Sequence, residues 1–278
     1  MPINKKTKII IASVGVVVVA VVVILYLSVW RWDTITYTNN DFSEDYVSFD
    51  DSSCNVAGIN LHGEILTYVP EENAGYDFAS GENILANLYY AKDLGNIKVI
   101  LLEIDSYGGS PVASEELANF IKTIDKPVIA MVREAAASGA YWVASSADRI
   151  FASEISDIGS IGVTMSYIDY SKSNSQQGFT WNSLSTGKYK DAGSMDKPLT
   201  REEREIFERD LKIIHEKFVN EVATNRGMSV SAVSALADGS TVLGGRAKEL
   251  GLIDEIGFIN EVESYIEKEY GFKPEVCF

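Results

Sequence analysis

The sequence predicts an α/β domain built on a mainly parallel sheet. Three observations predict it: short, mostly apolar runs at 99–104 and 127–132, segments of helical spacing between such runs, and glycine-rich turns where the runs end. Strands that are apolar on both faces suit a sheet buried between helical layers. In such sheets the functional loops collect at the carboxyl ends of the strands.

Taken in order, 56–65 reads as the first strand and 84–94 has helical spacing. The strand at 99–104 runs into Asp105, Ser106, Tyr107, Gly108 and Gly109. A helix over 115–124 precedes the strand at 127–132, which runs out through Ala135, Ala136 and Ala137 to Ser138 and Gly139. A short helix at 140–146 follows, then strands at 149–152 and 161–168. The C-terminal third reads as helical. Thr200 with Glu203 forms a capping box, and Phe207, Leu211, Ile214, Phe218 and Val222 make an apolar stripe on a helix ending near Gly227. Helices at 244–250 and 259–270 close the chain.

Upstream, residues 9–29 carry no charge and match the ~20 residues with which a helix crosses the hydrocarbon core. Lys5, Lys6 and Lys8 precede the run, and Trp30, Arg31 and Trp32 follow it, which orients the N-terminus towards the cytoplasm. The division expected is a cytoplasmic N-terminus at 1–8, a transmembrane anchor at 9–30, an acidic tether at 31–54 and a folded extracytoplasmic domain at 55–278. A cleaved signal peptide is the competing reading. The apolar run exceeds the usual hydrophobic region of such peptides, and no small-residue cleavage site follows it.

The net charge of −16 argues against a nucleic-acid partner. Cys54 and Cys277 have neither zinc-site spacing nor the density of a disulfide scaffold; a terminal disulfide and two free thiols both remain open. No metal or cofactor is expected.

Ser138 follows a buried strand and precedes a helix, a good place for a nucleophile; a small-residue packing turn is the plainer alternative. Gly108 and Gly109 end the preceding strand, so their amides are candidates to hold an oxyanion, or form an ordinary turn. A serine needs a base. His62 falls inside a strand and His215 beside the apolar stripe, and no orienting acid can be located for either. Lys188 and Lys190 share a small-residue loop between Gly187 and Gly193, and spacing alone does not choose between them.

At these residues the chain resembles the signal peptide peptidase A (protease IV) family, serine peptidases with a ClpP/crotonase-like fold. Four motifs occur in the family's order over about 56–257: Asp105 to Gly109, Ala136 to Tyr141, Gly159 to Val163, and Gly187 to Asp191. The resemblance implies Ser138 as nucleophile, Lys190 as base, Ser160 as the hydroxyl that hydrogen-bonds the lysine, and Gly108, Gly109 and Gly139 in the oxyanion region. Tyr107 and Ala140 depart from the family's proline and glycine, which bears on substrate approach. The resemblance further implies a homo-oligomer whose serine and lysine come from different subunits, cleaving signal-peptide remnants or small unfolded polypeptides outside the cytoplasmic membrane. The competing functions are an inactive membrane-bound scaffold and a crotonase-type acyl-CoA enzyme.

Overall fold

The structure is a computed structural model and describes residues 54–70, 73 and 76–278. The anchor expected at 9–30 lies outside these residues, as does the tether up to Ser53. Among the described residues no helix is long and apolar enough to cross a membrane.

The first strands are β1 (Val56–His62), β2 (Glu64–Leu66) and β3 (Phe78–Ser80), followed by helix α1 (Gly81–Asp93) and β4 (Val99–Ser106). Next come α2 (Pro111–Ile121), β5 (Val128–Ala137), α3 (Gly139–Ser145), β6 (Arg149–Ala152) and β7 (Asp157–Gly159). The short α4 (Ser171–Gln176) precedes the long α5 (Arg201–Asn225) and α6 (Val230–Ser234). The chain ends with β8 (Thr241–Leu243), α7 (Gly244–Glu249), β9 (Glu255–Ile256), α8 (Ile259–Tyr270) and β10 (Val276–Cys277). The main sheet runs β10-β1-β4-β5-β6-β9, with β7 paired along the far half of β5 and β8 paired on β7, and every pairing is parallel except β7 with β8.

Both faces of the central strands are buried, as their composition requires. Ile100, Leu102 and Ile104 join the larger core beneath α1, α2 and α3, while Val99, Leu101, Ile129 and Met131 pack on Val262 and Ile266 of α8. A disulfide between Cys54 and Cys277 ties the start of β1 to β10, which pairs beside it, so the two thiols are not free.

Three expectations are corrected. The strand expected over 56–65 ends at His62: Gly63 turns with φ of 79°, and Glu64–Leu66 pair with β3 in a separate small sheet. The strand expected to end at 132 continues to Ala137, past a register shift against β4, so that its far half pairs with β7. The strand expected at 161–168 does not form. The chain leaves the sheet at Gly159 and Ser160, both at positive φ, and from Thr164 onward it is exposed with no strand beside it. Alternating apolar residues there have the propensity for a strand and lack a partner.

Candidate active site

β4 and β5 are hydrogen-bonded neighbours, which brings the Gly108–Gly109 turn against the Ser138 turn. Ser138 ends β5 and caps α3 with φ of 52° and ψ of −125°. A non-glycine residue at positive φ costs on the order of 1–3 kcal/mol, so the surroundings must impose it. They do so through backbone bonds. The Ser138 amide donates to the Gly159 carbonyl at 2.8 Å, and the Ser138 carbonyl accepts from the Trp142 amide at 3.0 Å. The side chain makes no capping bond, which leaves the hydroxyl available.

The glycines divide their work. The Gly108 amide donates to Ser106 Oγ at 3.1 Å and its carbonyl accepts from Ile65 at 2.9 Å, so Gly108 shapes the loop and its amide is engaged. No backbone partner takes the amides of Gly109 or Gly139 among the described residues. A Cβ built on Gly139 would lie 3.5 Å from the Gly109 amide nitrogen, so the two stand close together beside Ser138. Two free N–H groups in one place can stabilise a developing oxyanion.

Ser138, Gly109 and Gly139 open onto a cavity of about 300 Å³. Its apolar walls are Trp142 of α3, Ile214 and Phe218 of α5, Pro111 and Val163, and Glu64, Tyr107 and Thr164 add polar groups to the lining. Trp142 stacks on Phe218 with ring centroids 4.8 Å apart and planes 9° from parallel. A larger cavity of about 580 Å³ shares Glu64, Tyr107 and Gly109 with it and adds Asp77, Asp105 and Glu134, but does not touch Ser138. Tyr107 therefore stands between the two, its phenol pushed up by desolvation and by Glu134, Asp157 and Asp105. In the sequence Tyr107 stands out only as a departure from a motif and Ile214 and Phe218 only as members of an apolar stripe, while nothing there singles out Trp142.

The two histidines lie elsewhere. His62 approaches Glu103 at 3.3 Å and His215 meets the Ala237 carbonyl at 3.2 Å; neither lines the serine cavity. Ser160 has φ of 49°, and its hydroxyl donates to the Gly239 carbonyl at 2.9 Å, leaving its lone pairs to accept a further hydrogen bond. Lys190 is exposed and does not line the serine cavity. Its loop rests on the start of α5: a Cβ on Gly193 would meet Phe207 at 3.3 Å, and Lys197 pairs with both Asp191 and Glu203. The cavity wall, by contrast, uses Ile214 and Phe218 of the same helix. From Glu203 to Phe218 an α-helix rises about 22 Å. Lys188 lies over the Tyr189 ring at 4.9 Å, and its ammonium is held above the usual lysine range chiefly by a hydrogen bond to Tyr189.

The model of peptidase family S49 matches residues 121–273, more than half of the chain. A putative signal peptide peptidase SppA from Enterococcus faecium is 31% identical over 238 residues, covering 84% of this chain and 69% of that protein. Protease 4 of Haemophilus influenzae is 34% identical over 218 residues, 77% of this chain and 34% of that one. Among solved structures, a ClpP1 mutant from Listeria monocytogenes overlays with a TM-score of 0.48 at 16% identity, covering 76% of this chain and 94% of that one.

Proposed function

The chain belongs to peptidase family S49 and is a serine endopeptidase, and from that premise we propose that Ser138 is its nucleophile and Lys190 its general base. The observation that carries the reading is Ser138 held at positive φ beside the unpartnered amides of Gly109 and Gly139 in one cavity. Neutral Lys190 takes the hydroxyl proton as Ser138 Oγ attacks a peptide carbonyl, and the two amides hold the oxyanion. Collapse breaks the peptide bond, and the lysine ammonium protonates the leaving amine. Water, deprotonated by the lysine, then hydrolyses the acyl ester and restores the serine.

Lys190 is favoured over Lys188 because Lys188 is engaged with Tyr189, which holds it protonated. A proton on the lysine removes its capacity as a base. The anchoring of the Lys190 loop at the start of α5, far along that helix from the serine cavity, favours a dyad completed between subunits. Ser160 supports the arriving lysine through its free lone pairs. The substrates are signal-peptide remnants or small unfolded polypeptides, with a small or apolar side chain in the cavity walled by Trp142, Phe218 and Val163. Residues 9–30 anchor the enzyme, and the domain lies outside the cytoplasm.

Mixing tests the reading. Ser138→Ala and Lys190→Ala should each be inactive alone, and only Ser138→Ala should lose labelling by a serine-reactive phosphonate through loss of the attacked atom itself. Co-assembled, the two variants should recover activity, because some sites then receive an intact serine from one subunit and an intact lysine from its neighbour. Full activity of Lys190→Ala would sink the assignment of the base. Failure of mixed assemblies to recover would sink the shared site.

A further inference from the structure

Lys197 lies outside the family motifs described above, yet it occupies the junction between the Lys190 loop and the rest of the domain. The loop turns on three backbone bonds, from the Lys190 amide to the Gly187 carbonyl at 3.3 Å, from the Ala192 amide to the Tyr189 carbonyl at 3.1 Å and from the Ser194 amide to the Asp191 carbonyl at 3.2 Å. None reaches the core. The Lys197 ammonium does: it approaches Asp191 at 3.8 Å, and it hydrogen-bonds Glu203, whose side chain is 4% exposed.

Glu203 is itself fixed. One carboxylate oxygen accepts from the Thr200 amide at 2.9 Å, while the Glu203 amide donates to Thr200 Oγ1 at 3.3 Å, closing the capping box of α5. A buried carboxylate needs a cationic partner, and Lys197 is the one that meets it. The remaining attachments of this excursion run to the same helix. Gly193 lies against Phe207, and Arg204 reaches the Tyr167 hydroxyl at 3.4 Å.

We infer that Lys197 is a positioning residue for the base: by bridging Asp191 to buried Glu203 it fixes the Lys190 loop on the first turn of α5 and keeps the carboxylate next to Lys190 occupied. The inference rests on the reading of Lys190 as base. Two effects follow from one bridge. The loop is held at a set place on a rigid helix, and Asp191 is kept from drawing the neighbouring Lys190 into an ion pair that would hold it protonated. The charged and titratable groups around the loop are Lys188, Tyr189 and Asp191 on the loop itself, Lys197 on the strap that follows, and Glu202 and Glu203 on α5.

The test uses the full chain, with Lys197→Met, Lys197→Arg, Asp191→Asn and Lys190→Ala assayed for peptide cleavage across pH. Lys197→Met should lower kcat roughly 10- to 100-fold with KM changed little, since the loss is in placement of a reacting group. The rising limb of its pH profile should move to higher pH, because freed Asp191 favours the protonated lysine. Asp191→Asn should also lower kcat but move the limb to lower pH. Lys197→Arg should restore most of the rate. A merely structural residue would not produce limbs that move in opposite directions.

Wild-type kcat and limb in Lys197→Met, with Lys190→Ala inactive, would overturn the inference and leave the base assignment standing. Activity in Lys190→Ala would overturn both. If Lys197→Met fails to fold, Asp191→Asn decides, since it leaves the Lys197–Glu203 pair in place: a wild-type profile there overturns the bridge.

Discussion

The amide of Ser138 donates to the carbonyl of Gly159 at 2.8 Å, and Gly159 directly precedes Ser160. Ser138 and Ser160 are the two non-glycine residues at positive φ among the described residues, so one hydrogen bond couples both strained turns. Gly159 itself has φ of 98°, and a Cβ there would find no atom nearer than 3.9 Å. Gly159→Ala thus has room but disfavoured backbone, a cost of about 1–2 kcal/mol. The turn should relax by moving the carbonyl that holds Ser138. Peptidase kcat should fall about ten-fold or more while urea denaturation reports only that modest loss of stability.

Gly108→Ala should be more damaging to catalysis. A Cβ at this residue, at φ of 100°, would stand 2.9 Å from Ser138 Cβ and 2.8 Å from the Gly139 amide nitrogen. Those are the proposed nucleophile and one of the two amides without a backbone partner among the described residues. Displacing a single oxyanion donor lowers kcat on the order of 100-fold, and here the serine is pushed as well. Steady-state kinetics and the rate of phosphonate labelling should fall together. A variant that labels and turns over normally would show that this turn tolerates a side chain and that the oxyanion site lies elsewhere.

Phe218 joins the stability of the domain to the shape of its cavity. It is 2% exposed, stacked on Trp142, and part of the wall facing Ser138. Phe218→Ala should cost about 3–5 kcal/mol by lost transfer free energy and an unfilled void. The void opens into the cavity that Ser138 lines. Preference at the cleavage point should therefore move towards larger apolar side chains, read from kcat/KM across a peptide series. Loss of stability with an unchanged series would mean that the cavity does not receive that side chain.

Much of the fold was legible because its signals are local. The apolar runs of β4 and β5 need burial on both faces, and Thr200 with Glu203 marks the start of α5. Ser138 and the glycines were legible as a strand-to-helix turn. Four features were not, each because it depends on how the chain folds back on itself and not on local pattern. Gly108 reads like a free donor until Ser106 Oγ is seen to take its amide. Residues 161–168 carry strand propensity, but only the course of the chain after Ser160 shows that no strand lies beside them. The pairing of Cys54 with Cys277 spans 223 residues and follows from β10 returning to β1. Lys197 reads as one exposed lysine among several until its contact with Glu203 is known.

Arg226 and Asp254 provide the sharpest stability test remote from the serine. The Arg226 side chain is 7% exposed and pairs bidentately with Asp254 at 3.1 and 2.9 Å, while its Nε donates to the Gly251 carbonyl at 3.1 Å. Asp254 also accepts from the Ile150 amide at 2.7 Å, so the pair fastens the end of α5 to the start of β6. Asp254→Ala leaves a buried guanidinium without its counter-charge, which costs about 3–5 kcal/mol. Replacing both residues, as Arg226→Met with Asp254→Leu, removes the charges together and should recover much of that loss, though the Ile150 amide stays unpaired. Urea midpoints of the two variants and the parent measure this directly. If Asp254→Ala melts like the parent, the pair is not what holds α5, and with it Ile214 and Phe218, against the sheet.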